Sequence, residues 1–369
     1  MDDGAVGHKV LSPSRLSEIT SSFLADPDKV TSSEPLGAGN INDTYLATFR
    51  QRPPLVVQRL NAAVFPDPRC VAGNVAMVTA YLRTSLNSTS GRCGSCRFPE
   101  ALETADGGSW FEDQSGEIWR CLTYIDNAVS YPAVVRTDQP SEAGRLLGCF
   151  HALLEDFDGS LLGEALPGFH DLGNYKSSYL RSIASHRRTL TSEFVYCQRM
   201  IEDRLESRSL DQRAKEEGVF PRVIHGDPKC DNFLFDVSTN RAVSLIDLDT
   251  TSNGLLAVDL GDCLRSFCNP AGEKGSLDIM FDSRICDRLL NGYLEGFAVT
   301  HAERYLIYHG VRLLTYELGL RFFTDHLNDD CYFKVAREGE NLHRACVQFK
   351  LLESIEKQRS AIERAAGVS

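Results

Sequence analysis

The chain has no apolar run approaching the ~20 residues that a membrane-spanning helix needs, so no membrane partner is expected. It also lacks an excess of positive charge: 39 Lys and Arg stand against 51 Asp and Glu, a net charge of −12. Binding a phosphate backbone requires clustered cations, and nucleic acid is therefore excluded as a main partner. Short basic runs such as Arg181 to Arg188 fit a solvated helix face. The N-terminal Met1-Asp2-Asp3-Gly4-Ala5-Val6 is acidic, without the basic and apolar regions of an export leader, so a cytoplasmic location is expected. Cys93-Gly94-Ser95-Cys96 has the spacing of half a zinc knuckle, yet no second pair follows it, and it reads as a surface turn. The 12 cysteines are scattered through 369 residues and are expected to be reduced thiols. Internal repeats and low-complexity segments are absent, and nothing calls for an obligate protein partner.

What is present is ordinary for a globular chain, with 42% hydrophobic and 24% charged residues. The length suits one large bilobal fold or two modest domains. Residues 1–30 carry weak helical periodicity (Leu11, Leu16, Ile19, Phe23, Leu24) and read as a helical extension. Residues 31–124 read as a small β-rich lobe. A glycine-rich turn, Gly37-Ala38-Gly39-Asn40, separates two strand-like segments, the second being Tyr45 to Phe49. Leu55 to Leu60 is a third strand, Asn74 to Leu86 a helix, and Arg97 to Glu103 and Glu117 to Tyr124 two more strands. Residues 125–369 are mostly helical, with 3.6-residue spacing over Ser141 to Phe157, Asn174 to Glu206, Ser283 to Glu295, His301 to Phe323 and Asn341 to Ala365. The one β-rich interruption spans Val223 to Asp247. The fold class is α+β, and the strand order of the small lobe is that of a kinase N-lobe.

That interruption carries the chemistry. After the apolar strand Phe220 to Ile224 comes His225-Gly226-Asp227-Pro228-Lys229-Cys230-Asp231-Asn232, and later Ile246-Asp247-Leu248-Asp249. A kinase catalytic loop places an Asp that takes the substrate hydroxyl's proton five residues before an Asn that holds metal, with a second Asp on the next strand as the main metal ligand. Asp227, Asn232 and Asp247 stand in that order, which implies phosphoryl transfer with ATP and Mg²⁺. Magnesium, a hard cation, prefers such oxygen donors. His225 reads as a brace of the loop. Asp249 falls on the same face as Asp247 if both lie on a strand. Asp259 and Asp262 begin a helix and read as cap residues or as a brace for the loop. Cys230 reads as a small turn filler.

Gly37, Gly39 and Asn40 are the candidate phosphate-binding turn, because backbone N–H groups there approach a nucleotide without a Cβ in the way. A third-strand Lys is absent. Its place is taken by Gln58 and Arg59, adjacent residues that point to opposite faces, so only one of them can meet the nucleotide.

With these motifs the chain resembles the aminoglycoside phosphotransferase superfamily, which has the protein-kinase-like fold. Several stretches resemble its N-acetylhexosamine 1-kinase branch: Gly39 to Tyr45, Gln58 to Asn61, Pro167-Gly168-Phe169-His170, Ile246 to Thr250, and Glu317 to Leu327 running on to Tyr332-Phe333-Lys334. The resemblance covers about residues 30 to 357. It implies a bilobal fold, ATP and Mg²⁺ as cofactors, and an amino sugar phosphorylated at its anomeric hydroxyl. By motif it implies Asp227 as base, Asn232 and Asp247 on the metal, and Arg321 and Tyr332 on the sugar. Arg321 alternatively pairs with Asp325 one turn on. Choline, homoserine and aminoglycosides remain alternative acceptors, as does an inactive nucleotide-binding scaffold. Fold and loop alone do not choose among hydroxyls.

Overall fold

The computed structural model of the chain describes residues 11–24, 29–37, 41–88, 91, 93–185, 191–206 and 208–368. Its backbone divides into two compact units: Met1–Thr89 with Arg97–Asp126 and Leu161–Leu166, and Ser90–Cys96 with Asn127–Ser160 and Pro167–Ser369.

The first unit runs α1 (Pro13–Ser21), β1 (Ser32–Pro35), β2 (Asp43–Thr48), β3 (Leu55–Arg59), α2 (Pro68–Ser88), β4 (Phe111–Glu112) and β5 (Ile118–Thr123). Ser12 starts α1 by accepting the Arg15 N–H at 3.3 Å, and Pro13 follows where a helix has no use for an N–H. The strands form one antiparallel sheet in the order β1-β2-β3-β5-β4. Strand alternation gives the sheet two apolar faces. Val57, Tyr45, Trp119 and Cys121 pack against Leu16 and Ile19 of α1. Ile118 packs on the other face with Val71 and Ala72 of α2. The strand expected over 97–103 does not form; those residues make only a single bridge between Ala101 and Leu122. Pro99 has no N–H to give a ladder. The fifth strand is β4, folded onto β5 by a tight turn in which Gly116, at φ +78°, donates to the Asp113 carbonyl.

The second unit contains β6 (Ala128–Val129), α3 (Gln139–Leu153), α4 (Leu172–Ser185), α5 (Ser192–Glu202), α6 (Leu210–Glu217), β7 (Arg222–Ile224), β8 (Phe233–Asp236), β9 (Ala242–Leu245) and β10 (Ser252–Gly254). Helices α7 (Leu256–Phe267), α8 (Ser283–Gly296), α9 (His301–Leu327), α10 (Glu340–Lys357) and α11 (Arg359–Ala365) complete it. Its strands form two small antiparallel sheets, β6-β8-β9 and β10-β7. The expected helix over 174–206 is two: Thr191 caps a new start by accepting the Phe194 N–H. Two helix pairs approach backbone to backbone. A Cβ on Gly144 of α3 would lie 1.9 Å from the Leu289 carbonyl of α8, and one on Gly310 of α9 would lie 2.0 Å from the Ala257 carbonyl of α7. Only glycine permits that approach.

Cys93 and Cys96 are not a surface turn; both are buried. The Arg145 guanidinium lies 3.9 Å from the sulfurs of Cys96 and Cys149. A hydrogen bond from Cys149 and the nearby Arg145 charge lower the Cys96 thiol to about 7. Among the described residues no helix is long and apolar enough to cross a membrane.

Candidate active site

Strand β7 ends at Ile224 and releases the chain into His225-Gly226-Asp227. Gly226 sits at φ +87°, and a Cβ there would lie 2.6 Å from the Thr250 carbonyl. The turn is held from below by Asp259, one turn inside α7 and fully buried. Its Oδ2 accepts the His225 N–H at 2.7 Å and faces His151 Nε2 at 2.9 Å, while its Oδ1 accepts the Gly226 N–H at 2.8 Å. His151 in turn reaches the Tyr293 hydroxyl at 2.8 Å. Burial opposes the charge on Asp259, but His151, His225 and the Gly226 N–H outweigh it and hold the carboxyl below its usual range. Asp259 is thus a brace and not a helix cap. Asp262 pairs with Arg265 at 2.7 Å.

His225 is a brace as well. Its Nε2 faces the Ile246 carbonyl at 2.9 Å, an acceptor only, so Nε2 carries the proton and Nδ1 accepts the Asp227 N–H at 3.2 Å. Burial lowers its pKa, which suits a neutral ring. Asp227 Oδ2 takes Lys229 Nζ at 2.6 Å and lies 3.4 Å from Asn232 Nδ2, which leaves Oδ1 open among the described residues. Lys229 was not foreseen from the sequence. Burial lowers its pKa, but Asp227, Asp247 and Asp231 outweigh it and the pKa is raised.

Asn232 is brought to Asp227 by the short 3-10 turn Cys230–Asn232, its Nδ2 donating to the Asp227 carbonyl at 2.8 Å. With the amide nitrogen so committed, the oxygen Oδ1 is the atom left for a cation. Asp247 adds an exposed carboxylate, so the donor set fits a hard divalent ion. Asp247 is not on a strand, however. The chain leaves β9 at Leu245, and Asp247 adopts a left-handed φ of 67° before the 3-10 turn Leu248–Thr250. The shared-face argument for Asp249 therefore fails: it is 3% exposed, inside the turn. Cys230 is buried, and burial pushes its thiol up to about 12.

Arg321 of α9 lies among four rings, with its guanidinium carbon 5.5 Å from Phe169, 5.1 Å from Tyr175, 5.7 Å from Tyr332 and 5.4 Å from Phe333. Its carboxylate neighbour is Glu317 at 4.0 Å, not Asp325. Asp325 instead accepts the N–H groups of Tyr332 and Phe333, which fixes the loop after α9. His170 joins this helix to the catalytic loop. Its Nδ1 lies 2.9 Å from Glu317 Oε1 and its Nε2 3.0 Å from the Gly226 carbonyl.

In the first unit, Gly37 takes φ +77°, whereas Gly39 and Asn40 lie outside the described residues. Gln58 and Arg59 do point to opposite faces. Arg59 pairs with Asp43 and with Glu117 on the α1 face. Gln58, on the α2 face, donates to Thr44 at 3.0 Å and accepts from the buried Arg120 guanidinium at 2.9 and 2.7 Å. Arg120 also escaped the sequence reading. A charged residue at an inward position of the apolar strand Ile118 to Thr123 was the available signal.

An antiparallel five-stranded sheet in one unit and an H-G-D-x-x-x-x-N loop in a second, mostly helical unit make a kinase-like phosphotransferase architecture. The profile of the phosphotransferase enzyme family matches residues 32–314, and the chain belongs to that family. Solved structures share its fold. An aminoglycoside phosphotransferase from Alicyclobacillus acidocaldarius is 14% identical over 98% of this chain and 99% of its own, with a TM-score of 0.62. A microcompartment-associated aminopropanol kinase is 15% identical over 96% of this chain and 100% of its own, at 0.64. An amicoumacin kinase in complex with AMP-PNP and Ca²⁺ is 13% identical over 91% and 92%, at 0.57.

Proposed function

We propose that the chain is an ATP- and Mg²⁺-dependent kinase of a small hydroxyl compound, with an N-acetylhexosamine at its anomeric hydroxyl as substrate. The observation that carries phosphoryl transfer is the open Oδ1 of Asp227 beside Lys229 and Asn232. Phosphoryl transfer asks a protein chiefly for positioning and charge neutralisation. Asp227 Oδ1 orients the acceptor hydroxyl and takes its proton, while Lys229 on Oδ2 holds the carboxylate in one rotamer. Asn232 and Asp247 would hold the Mg²⁺, which supplies charge neutralisation at the phosphates. Gly37, Gly39 and Asn40, with the Gln58–Arg120 pair, are the nucleotide side of the proposal, and the AMP-PNP complex of the amicoumacin kinase supports it by fold alone.

The acceptor is argued from Arg321. A quaternary ammonium such as choline seeks an aromatic cage. Here the aromatic cluster already holds a guanidinium, which repels a cation and donates hydrogen bonds to a neutral carbonyl or hydroxyl. This favours an acetamido sugar over choline. Tyr332, half exposed, offers a ring face and a hydroxyl beside it.

The test is ADP release with ATP and Mg²⁺ against N-acetylglucosamine, N-acetylgalactosamine, glucose, choline, homoserine and kanamycin. Turnover on the N-acetylhexosamines with phosphate at C1 supports the reading. Turnover on choline alone overturns the acceptor assignment and keeps the catalytic loop. Silence with retained ATP binding overturns catalysis.

A further inference from the structure

The peptide bond between Gly226 and Asp227 is gripped at both ends by histidines. Its N–H donates to His225 Nδ1, and its carbonyl lies 3.0 Å from His170 Nε2. The two rings face different demands. His225 has one acceptor and one donor as neighbours, Ile246 O and the Asp227 N–H, and a neutral ring satisfies both. His170 faces two groups that only accept: the Gly226 carbonyl and Glu317. A neutral imidazole has one N–H and leaves one of these acceptors against a lone pair. Arg321 Nη1 lies 4.0 Å from the same Glu317 oxygen, so that oxygen faces nitrogen donors on two sides and has no hydrogen of its own to offer the ring.

We propose that His170 works as an imidazolium that positions Asp227, clamping the peptide that leads into it, and that loss of this proton sets the alkaline limit of turnover. The inference rests on the phosphotransfer reading of Asp227. The groups facing His170 are Glu317 and Arg321 from α9, Asp262 from α7, the Gly226 carbonyl from the catalytic loop, and the Tyr175 hydroxyl from α4, which bonds the His170 backbone. Burial lowers the His170 pKa, but Glu317, the Gly226 carbonyl and Asp262 outweigh it and the pKa is raised. The clamp is therefore complete below the raised value and is lost as pH rises through it. Backbone geometry prepares the contact, since Gly168 and His170 both take left-handed φ, at 75° and 60°. The turn they make turns the ring back toward Gly226.

Two measurements test this with the full chain. In ¹⁵N-histidine-labelled protein, the His170 resonance, assigned through His170→Gln, is expected to show both nitrogens protonated at pH 7. In Glu317→Gln, deprotonation is expected to move to lower pH. This spectroscopic arm needs no substrate, so it stands whatever the acceptor panel gives. A neutral His170 at pH 7, or a titration unmoved by Glu317→Gln, overturns the proposal. For turnover, ADP release with N-acetylglucosamine, or without acceptor if none is turned over, is followed against pH. His170→Gln is expected to lower kcat roughly 10- to 100-fold, the scale of a misplaced catalytic group, with little change in KM for ATP and with the alkaline limb gone. Glu317→Gln, which keeps the ring, is expected to shift that limb to lower pH. A His170→Gln profile that keeps the wild-type alkaline limb, or a change confined to KM, refutes positioning.

Discussion

Asp259→Asn removes the brace of the catalytic loop while keeping its volume. The best amide orientation puts its oxygen where Oδ2 was, retaining the His225 N–H and the His151 contact. Its NH₂ then faces the Gly226 N–H, which formerly donated to Oδ1 at 2.8 Å. One buried donor loses its partner, at about 1–3 kcal/mol, and the two retained bonds lose the strength that a charged acceptor gives, about 1 kcal/mol together. The sum, roughly 3 kcal/mol, corresponds to about 6–12 °C in Tm for a unit of this size. Thermal melting by far-UV circular dichroism at pH 7 reads it, and hydrogen exchange at the His225 and Gly226 amides localises it. The charge also fixes a direction with pH. A carboxyl whose folded pKa is lowered contributes stability above the unfolded Asp value and loses it as pH falls through the folded one. The gap between wild type and variant is therefore expected to narrow in acid. A Tm within about 2 °C of wild type, with unchanged exchange at both amides, would refute the brace.

Asp227→Asn is expected to lower kcat by about 100-fold or more, the scale of a lost general base, with ATP affinity by calorimetry largely kept; unchanged kcat would remove Asp227 from the chemistry. Gly310→Ala drives a methyl into the Ala257 carbonyl and is expected to lower Tm by several degrees, on the scale of about 1–3 kcal/mol for overpacking; an unchanged melt would mean α7 and α9 part without cost. Iodoacetamide mapping by mass spectrometry at pH 8 is expected to label Cys96, held to about 7, before Cys230, pushed up to about 12; the reverse order contradicts those environments.

The catalytic loop was legible because its demands are local. Asp227, Asn232 and the strand before them lie within a few residues of one another, and the 3-10 turn that swings Asn232 back is implied by the spacing. Asp247 was legible as a residue but not as a conformation, since a left-handed φ at a non-glycine follows from the turn after β9 and not from periodicity. The same limit hid β4: two residues paired through a turn have no pattern to read. Helix α6 did carry a signal that was passed over, a Ser209-x-x-Gln212 capping box and Gly218 at its end. Lys229 and Arg120 were missed for another reason. Their roles depend on partners across strands and turns, Asp227 and Gln58, that no window of sequence contains.

The glycine contacts between helices have a consequence for how this fold changes its task. His151 and Tyr293 come from α3 and α8, and Asp259 from α7, each belonging to a pair that meets backbone to backbone. Backbone atoms make the shortest of those approaches, so drift in the surrounding core has little to exchange that would slide these helices along each other. The loop that carries Asp227 is hung from a fixed datum. The ring cluster around Arg321 rests on the far end of α9, on α4 and on the loops that carry Phe169 and Phe333, where substitution alters what is reached. A new acceptor can be learned there while the point at which its hydroxyl must arrive stays where it was.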